Sequence, residues 1–554
     1  MDSTTIDQEQ KYEQVVTAVK TKKCQQSPTS KAVLTFMRPF KDFIHPTSIK
    51  ETGQKRLVSL DFLRGIAIFI MLSGHELQVT IAGDASKNPV YYIVGVPIAL
   101  TAGFRTFFIM ISGIAHSFVF GSTIFGKSFK QALTGLFMSV FGSFMALPLF
   151  YVFHVCNVMA YEFQFGSLTM GQPWFNGLQV YSHPPIFFGF SQPINAIVML
   201  LLYLMVIYPF TQVKQLKQYH IMYIAASLCF AVSVILPFVF MPIANSLRRS
   251  MAKSINIDPD SITGMNRECP GNYFGTAATF QEHLRNIFYH FNAGNYMQMN
   301  CQYMFFMMGL SIGFVLASFK VHKSEIINSH NTPEQIKKDY LKIRRNYLMY
   351  FSFSPLIILA LEFAILAQVD AQLKSGVRTF KFDIDAFFKD YIPNDCFVPE
   401  YCMAAMCAQM YCVILAIALF ECTTDAKAKI RAERILYLRR FSSLSFSCFV
   451  FGYLLSQPIQ KYFAIQGSIK FGDCRNILKV YRTDLQIWEF IGYLIVYFII
   501  TLLVQCMFDT MQDKLTPDWM IKRFSHIFSA KGKFSDVSEQ HLNVNPVNLF
   551  GKLD

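Results

Sequence analysis

Long apolar stretches alternate with short polar, mostly basic segments from residue 58 to residue 508. Windows of about 19 residues predict ten membrane-spanning helices, near 58–80, 92–119, 131–154, 186–210, 220–243, 297–319, 346–369, 401–421, 441–464 and 485–508. The pattern predicts an all-α, polytopic integral membrane protein. A polar, basic N-terminal extension (1–57) precedes the membrane domain (58–508), and a tail (509–554) follows it. The loop near 244–296 is long enough to form an outer cap. Asn331-Thr332-Pro333-Glu334 is a helix-start signal ahead of a Lys-rich run, which predicts a separate solvated helix before the span at 346–369. The paired broken helices of a transporter are not evident in the pattern, although Pro209 and Pro237 could hide them.

Charge adds an orientation. Roughly two thirds of the 50 Lys and Arg fall in 1–57, 120–130, 211–219, 320–345, 422–440 and 509–554, which predicts N-in and C-in. The net charge of +14 is thus a topology signal. No basic soluble domain accompanies it, so nucleic acid is not an expected partner. The expected partners are the lipid bilayer and proteins at the polar termini. No N-x-[ST] acceptor occurs, which points away from a glycosylated secretory-pathway protein and favours an organellar membrane, the mitochondrial inner membrane first. Of the 13 cysteines, Cys156, Cys269, Cys396 and Cys474 fall in outer loops where bridges can form. Cys402, Cys407 and Cys412 follow a period of five in an apolar span and predict packing rather than a metal site.

Asp61, Arg64 and His75 lie inside the first span, where ionisable groups are costly and point to function. Arg64 and His75 are eleven residues apart, about 1100° of helical rotation, so they share one face about 16 Å apart along the axis. Arg105 and His116 repeat that spacing in the second span. Two antiparallel helices would then hold an Arg64/His116 layer and an Arg105/His75 layer. These cations leave room for an anionic ligand such as a phosphate-bearing acyl donor. Neutralisation by Asp61 and Glu362, with no ligand, is the competing reading. An imidazole such as His75 titrates near neutrality and suits general-base work.

These residues also resemble a known family. RLVSLDFLRGIAIFIMLSGH (56–75) resembles the first helix of the transmembrane acyltransferases related to heparan-alpha-glucosaminide N-acetyltransferase, with its Arg-x-x-Ser-[Val/Leu]-Asp-x-x-Arg-Gly pattern and closing His. FRTFFIMISGIAHSF (104–118) is similar to that family's PxFxFLxG helix, and FFMMGLSIGFVLA (305–317) to its FxxGxxxG helix. LRRFSSLSFSCFVFGYL (438–454) is similar to its LGRxSLxxY helix and DKLTPDWMIKRF (513–524) to its GPxEWxxR tail. The resemblance implies ten or eleven helices and transfer of an acyl group from acyl-CoA, as co-substrate, to a sugar-like or other hydroxyl or amine acceptor. It implies His75 as the catalytic base, Arg64 as a contact to the donor and Arg105 as a supporting cation. The chain departs from the patterns at Gly74, Thr106, Cys448, Phe449 and Leu515-Thr516-Pro517-Asp518-Trp519. Erosion of this kind fits a second reading, a catalytically retired accessory subunit of a large membrane complex.

Overall fold

The computed structural model describes residues 55–80, 88–91, 93, 104–124, 127–165, 184–254, 299–329, 332–374, 399–448, 451–452, 455–456, 459, 485–510, 516–528, 545–546 and 549–550. Helices dominate: α1 (Val58–Thr80), α2 (Phe104–Ile124), α3 (Phe129–Phe165), α4 (Pro184–Leu202), α5 (Tyr208–Thr211), α6 (Gln218–Ser254) and α7 (Met299–Ile327). They continue with α8 (Pro333–Lys374), α9 (Pro399–Phe420), α10 (Asp425–Arg434), α11 (Leu436–Ser443), α12 (Ile487–Thr510) and α13 (Pro517–Phe528). Two dipeptides, β1 (Lys55–Arg56) and β2 (Asn545–Pro546), pair in parallel.

Among the described residues, six helices are long and apolar enough to cross a membrane, and Thr106–Gly121 and Met406–Phe420 form two shorter apolar helices. The chain is therefore an all-helical membrane protein. Helix α1 has 23 residues, a sufficient length, but it carries Asp61, Arg64 and Glu76. Large apolar side chains such as Met205, Phe137, Phe363, Leu415 and Ile499 are exposed on the outside of the bundle, as contact with lipid requires.

Helix α7 is the central post. In its apolar window 83% of the residues are buried inside the protein, against 28–33% in the other five spanning helices. Helices α2, α6 and α8 pack around it. Small residues let its neighbours close in. A Cβ added at Gly309 would stand 2.1 Å from the Met110 carbonyl oxygen of α2, and one at Gly313 would stand 2.0 Å from Ser117 Oγ. Ser311 and Ser318, two turns apart, fasten its other sides. The Ser311 hydroxyl donates to the Ala226 carbonyl at 2.7 Å and lies 2.5 Å from the Tyr350 hydroxyl. Ser318 repeats the arrangement with the Tyr219 carbonyl at 2.7 Å and the Tyr347 hydroxyl at 2.6 Å.

The separate Lys-rich helix expected before span 346–369 is corrected by the structure: both belong to α8, a single helix of 42 residues. It starts where the capping signal lies, with the Gln335 amide donating to Thr332 Oγ1 at 3.4 Å. At 1.5 Å per residue α8 is about 63 Å long, roughly twice the hydrocarbon thickness, so its charged half stands clear of lipid. Hydropathy windows split it because charge ends an apolar window without ending a helix. Likewise α6 runs unbroken through Pro237 to Ser254, into the expected cap loop, whose residues 255–296 lie outside the described residues. Pro209 follows a π-helical turn (Tyr203–Ile207) that brings Tyr203 and Tyr208 to the Phe129 ring, 6.2 and 4.2 Å between centroids.

The start of α1, the end of α7, the start of α8 and the end of α9 meet at one end of the bundle, here the basic end. Ser59 donates to Glu421 Oε1 from its hydroxyl at 3.1 Å and from its amide at 3.4 Å. A strap from the distant tail closes this end. The Phe550 amide donates to the Glu421 carbonyl at 2.8 Å, and Lys323 Nζ donates to the Leu549 carbonyl at 3.1 Å. The Phe550 ring is fully buried, stacked on Phe319 at 4.3 Å and edge-on to Phe351 at 6.1 Å.

Glu421 itself is buried, and its Oε2 makes no hydrogen bond. An amide of the same shape keeps both bonds from Ser59 without burying a carboxylate. Glu421→Gln is therefore expected to match or exceed the native thermal midpoint, whereas Glu421→Ala, which strands Ser59, is expected to lose about 2 kcal/mol. Thermal unfolding in detergent checks both, and a Gln variant as unstable as the Ala variant would contradict this account.

Candidate functional site

The first turns of α1 bring Asp61, Arg64 and Gly65 to α11. A Cβ at Gly65 would lie 2.1 Å from the Leu438 carbonyl oxygen, so glycine is what permits the two helices to touch. Asp61 is buried there and accepts from the Ser442 hydroxyl at 3.4 Å. Helix α11 adds two buried guanidinium groups, Arg439 and Arg440, with Arg439 Nη1 donating to the Ala432 carbonyl at 3.3 Å. The first turns of α1 thus pack among two buried cations, Arg439 and Arg440, and two buried acids, Asp61 and Glu421.

On α2, His116 lies within electrostatic range of Arg64. Its Nδ1 is 2.7 Å from the Ser112 carbonyl oxygen and 3.2 Å from Ser112 Oγ. A carbonyl oxygen only accepts, so the neutral ring carries its proton on Nδ1 and leaves the Nε2 lone pair available. Phe306 of α7 closes one side, edge-on at 6.2 Å. The half-buried imidazole is oriented by its own helix rather than by a carboxylate.

His75 and Arg105 occupy helical backbone in α1 and α2, while their side chains lie outside the described residues, as do Cys156, Cys269, Cys396 and Cys474. Glu362, the expected partner of Arg105 in the ligand-free reading, is buried in α8 within electrostatic range of Cys407 of α9. Among the described residues, no three His, Cys, Asp or Glu side chains converge as metal ligands would.

Several polar contacts were not legible as candidates. Glu76, adjacent to His75 in sequence, is buried and accepts a hydrogen bond from the Tyr493 hydroxyl of α12, with Tyr497 stacked one turn further on. Gln409 of α9 donates to Thr106 Oγ1 of α2 at 2.7 Å. Asp518, in the first turn of α13, accepts from the Ser447 amide at 2.6 Å, the Ser447 hydroxyl at 2.7 Å and the Phe446 amide at 3.3 Å. It thereby caps the helical residues 445–448 from a distant segment. An acid immediately before Trp519 was visible in sequence, but nothing local marked its target.

These contacts share a pattern. The segments that carry the family resemblance pack on one another in pairs: 56–75 on 438–454 through Gly65, 104–118 on 305–317 through Gly309, and 438–454 on 513–524 through Asp518. Comparison with protein-family models, with curated proteins and with solved structures finds no match.

Proposed function

We propose that this protein spans the membrane about ten times, with both termini on the side of its basic loops, and transfers an acyl group from an acyl-CoA donor to a hydroxyl or amine acceptor. The observation that supports the reading is Arg64 within electrostatic range of His116, at a helix crossing that also holds the buried Arg439 and Arg440. Guanidinium groups recognise phosphate, and an interior location strengthens each contact. In this reading Arg64 and Arg105 hold the anion of the donor, His116 contacts the donor as a neutral imidazole, and His75 is the base. Arg64 and His75 are about 16 Å apart along α1, so phosphate at one and thioester at the other require an extended donor, as the pantetheine arm of CoA provides.

The chemistry is then a direct transfer. His75 takes the proton of the acceptor O–H or N–H as the oxygen or nitrogen attacks the thioester carbonyl. The C–S bond breaks, CoA leaves as thiolate, and the imidazolium returns the proton to give free thiol. The reading places the protein in an organellar membrane, the mitochondrial inner membrane first.

A second reading, the retired accessory subunit, is favoured by one observation: two departures from the family patterns work as packing contacts, Thr106 with Gln409 and Asp518 with Ser447. One assay separates the two. Full-length protein in liposomes is given acetyl-CoA and glucosamine, and release of thiol and N-acetylation are followed. Acyl transfer predicts turnover that falls about a hundredfold or more in His75→Ala and in Arg64→Ala, with thermal midpoints preserved. Undiminished turnover in both variants would refute the assigned roles, and no turnover by folded native protein would leave the scaffold reading standing.

A further inference from the structure

At the basic end, the start of α6 and the end of α7 enclose a cleft of about 490 Å³ lined by Gln218, Lys320, Val321, Ser324, Glu325 and Asn328. The lining offers hydrogen-bond donors, an ammonium, a hydroxyl and two carboxamides, set in largely apolar surface. Its one carboxylate, Glu325, lies 3.5 Å from Lys217 Nζ, which offsets the charge. His220 and His322 stand close by, within electrostatic range of each other, and His322 stacks on Tyr219 at 3.8 Å. Lys320 Nζ lies 5.3 Å from the Phe118 ring centre, so α2 also reaches this place.

The cleft sits at a definite level. The apolar part of α7 gives way here to Lys320, Lys323 and Glu325, and α6 begins here at Gln218, so the cleft lies where hydrocarbon gives way to headgroups. Further along α6, exposed apolar side chains recur at Leu228, Ile235 and Val239, at the seven- and four-residue steps of one helix face. A cationic cleft opening onto an apolar track matches an amphiphile, with its anion at Lys320 and its chains along α6. The aromatic rings of Tyr219 and Tyr223 stand at the depth where such side chains anchor an interface.

We propose that this cleft binds the headgroup phosphate of an anionic membrane phospholipid, with Lys320 as the charged contact and Gln218, Ser324 and Asn328 as hydrogen-bond donors. A free phosphate would use the same donors but would leave the apolar track without a role. The site stands apart from Arg64 and His116 and does not depend on acyl transfer.

The full-length chain, delipidated in mild detergent, is titrated with short-chain phosphatidylglycerol, with phosphatidylcholine of the same chain length, and with inorganic phosphate, and its thermal midpoint is followed. Phosphatidylglycerol is expected to raise the midpoint, while phosphatidylcholine and inorganic phosphate leave it unchanged. Lys320 is exposed, so Lys320→Gln keeps the fold, and its midpoint without lipid checks this. The variant is expected to need about five- to tenfold more phosphatidylglycerol for the same shift, the effect of one lysine at a headgroup. Equal responses of native and Lys320→Gln protein would overturn the assignment. So would an equal shift from phosphatidylcholine, or a full shift from inorganic phosphate, which would make the cleft a site for soluble anions.

Discussion

Gly309→Leu is expected to abolish the folded protein. At this position α7 presses directly on the backbone of α2: even the first carbon of a side chain would stand 2.1 Å from the Met110 carbonyl oxygen and 3.1 Å from the Gly113 Cα. Carbonyl oxygens of a buried helix cannot step aside, so the two axes must separate. In a membrane that separation is especially damaging, because lipid supplies no hydrophobic force to push helices together and close packing carries their association. Gly113 faces the same contact, with the Phe306 carbonyl 2.5 Å from its added Cβ. Gly309→Ala is expected to cost about 2–3 kcal/mol, and leucine to exceed what the bundle can absorb. Gly135 of α3 provides the control, since nothing lies within 4 Å of its added Cβ. Gly135→Ala is expected to be neutral or to gain up to about 1 kcal/mol from helix propensity. Size-exclusion profiles of detergent extracts, before and after a heating step, measure all three. A monodisperse, heat-resistant Gly309→Leu protein would show that α2 and α7 do not meet as described.

Phe550→Ala is the second large effect, with an expected loss of about 3–5 kcal/mol. The ring is wholly enclosed by Phe319 and Phe351, and truncation would leave a cavity that α7 and α8, fastened by Ser311, Ser318 and their tyrosine partners, cannot collapse to fill. The variant also isolates the ring from the backbone contacts, because the amide bond to Glu421 is kept. Phe319→Ala empties the opposite side of the same stack. The double variant is therefore expected to lose less than the two single losses added together, as residues in contact do. Thermal midpoints of the four proteins give the coupling. Strict additivity would mean that the strap does not seat between α7 and α8.

The first helix was legible from its own residues. An eleven-residue interval puts Arg64 and His75 on one face, and the same interval in α2 carries His116 to within electrostatic range of Arg64. Helix α7 was legible as a span, and its glycines acquire a physical reason once α2 is seen against it. What escaped has a common cause, sequence distance. Tyr493 reaches Glu76 across 417 residues, Ser442 reaches Asp61 across 381, and Asp518 reaches Ser447 across 71. A single sequence carries no signal for such pairings, because each partner alone reads as an ordinary tyrosine, serine or acid. Helix α8 was misread for the opposite reason: its local charge pattern was strong enough to suggest a boundary that the backbone does not make.

The pairing of β1 with β2 gives the bundle an order of assembly. Leu549 and Phe550 follow every helix they touch in the sequence, so the slot between Phe319 and Phe351 stays open until the tail is in place. Until the strap arrives, the basic end presents an aromatic-lined opening, the kind of surface that membrane chaperones and proteases survey. Arrival of the strap covers it and ties residues 55–56 to 545–546, so a chain that stalls anywhere upstream displays its own incompleteness.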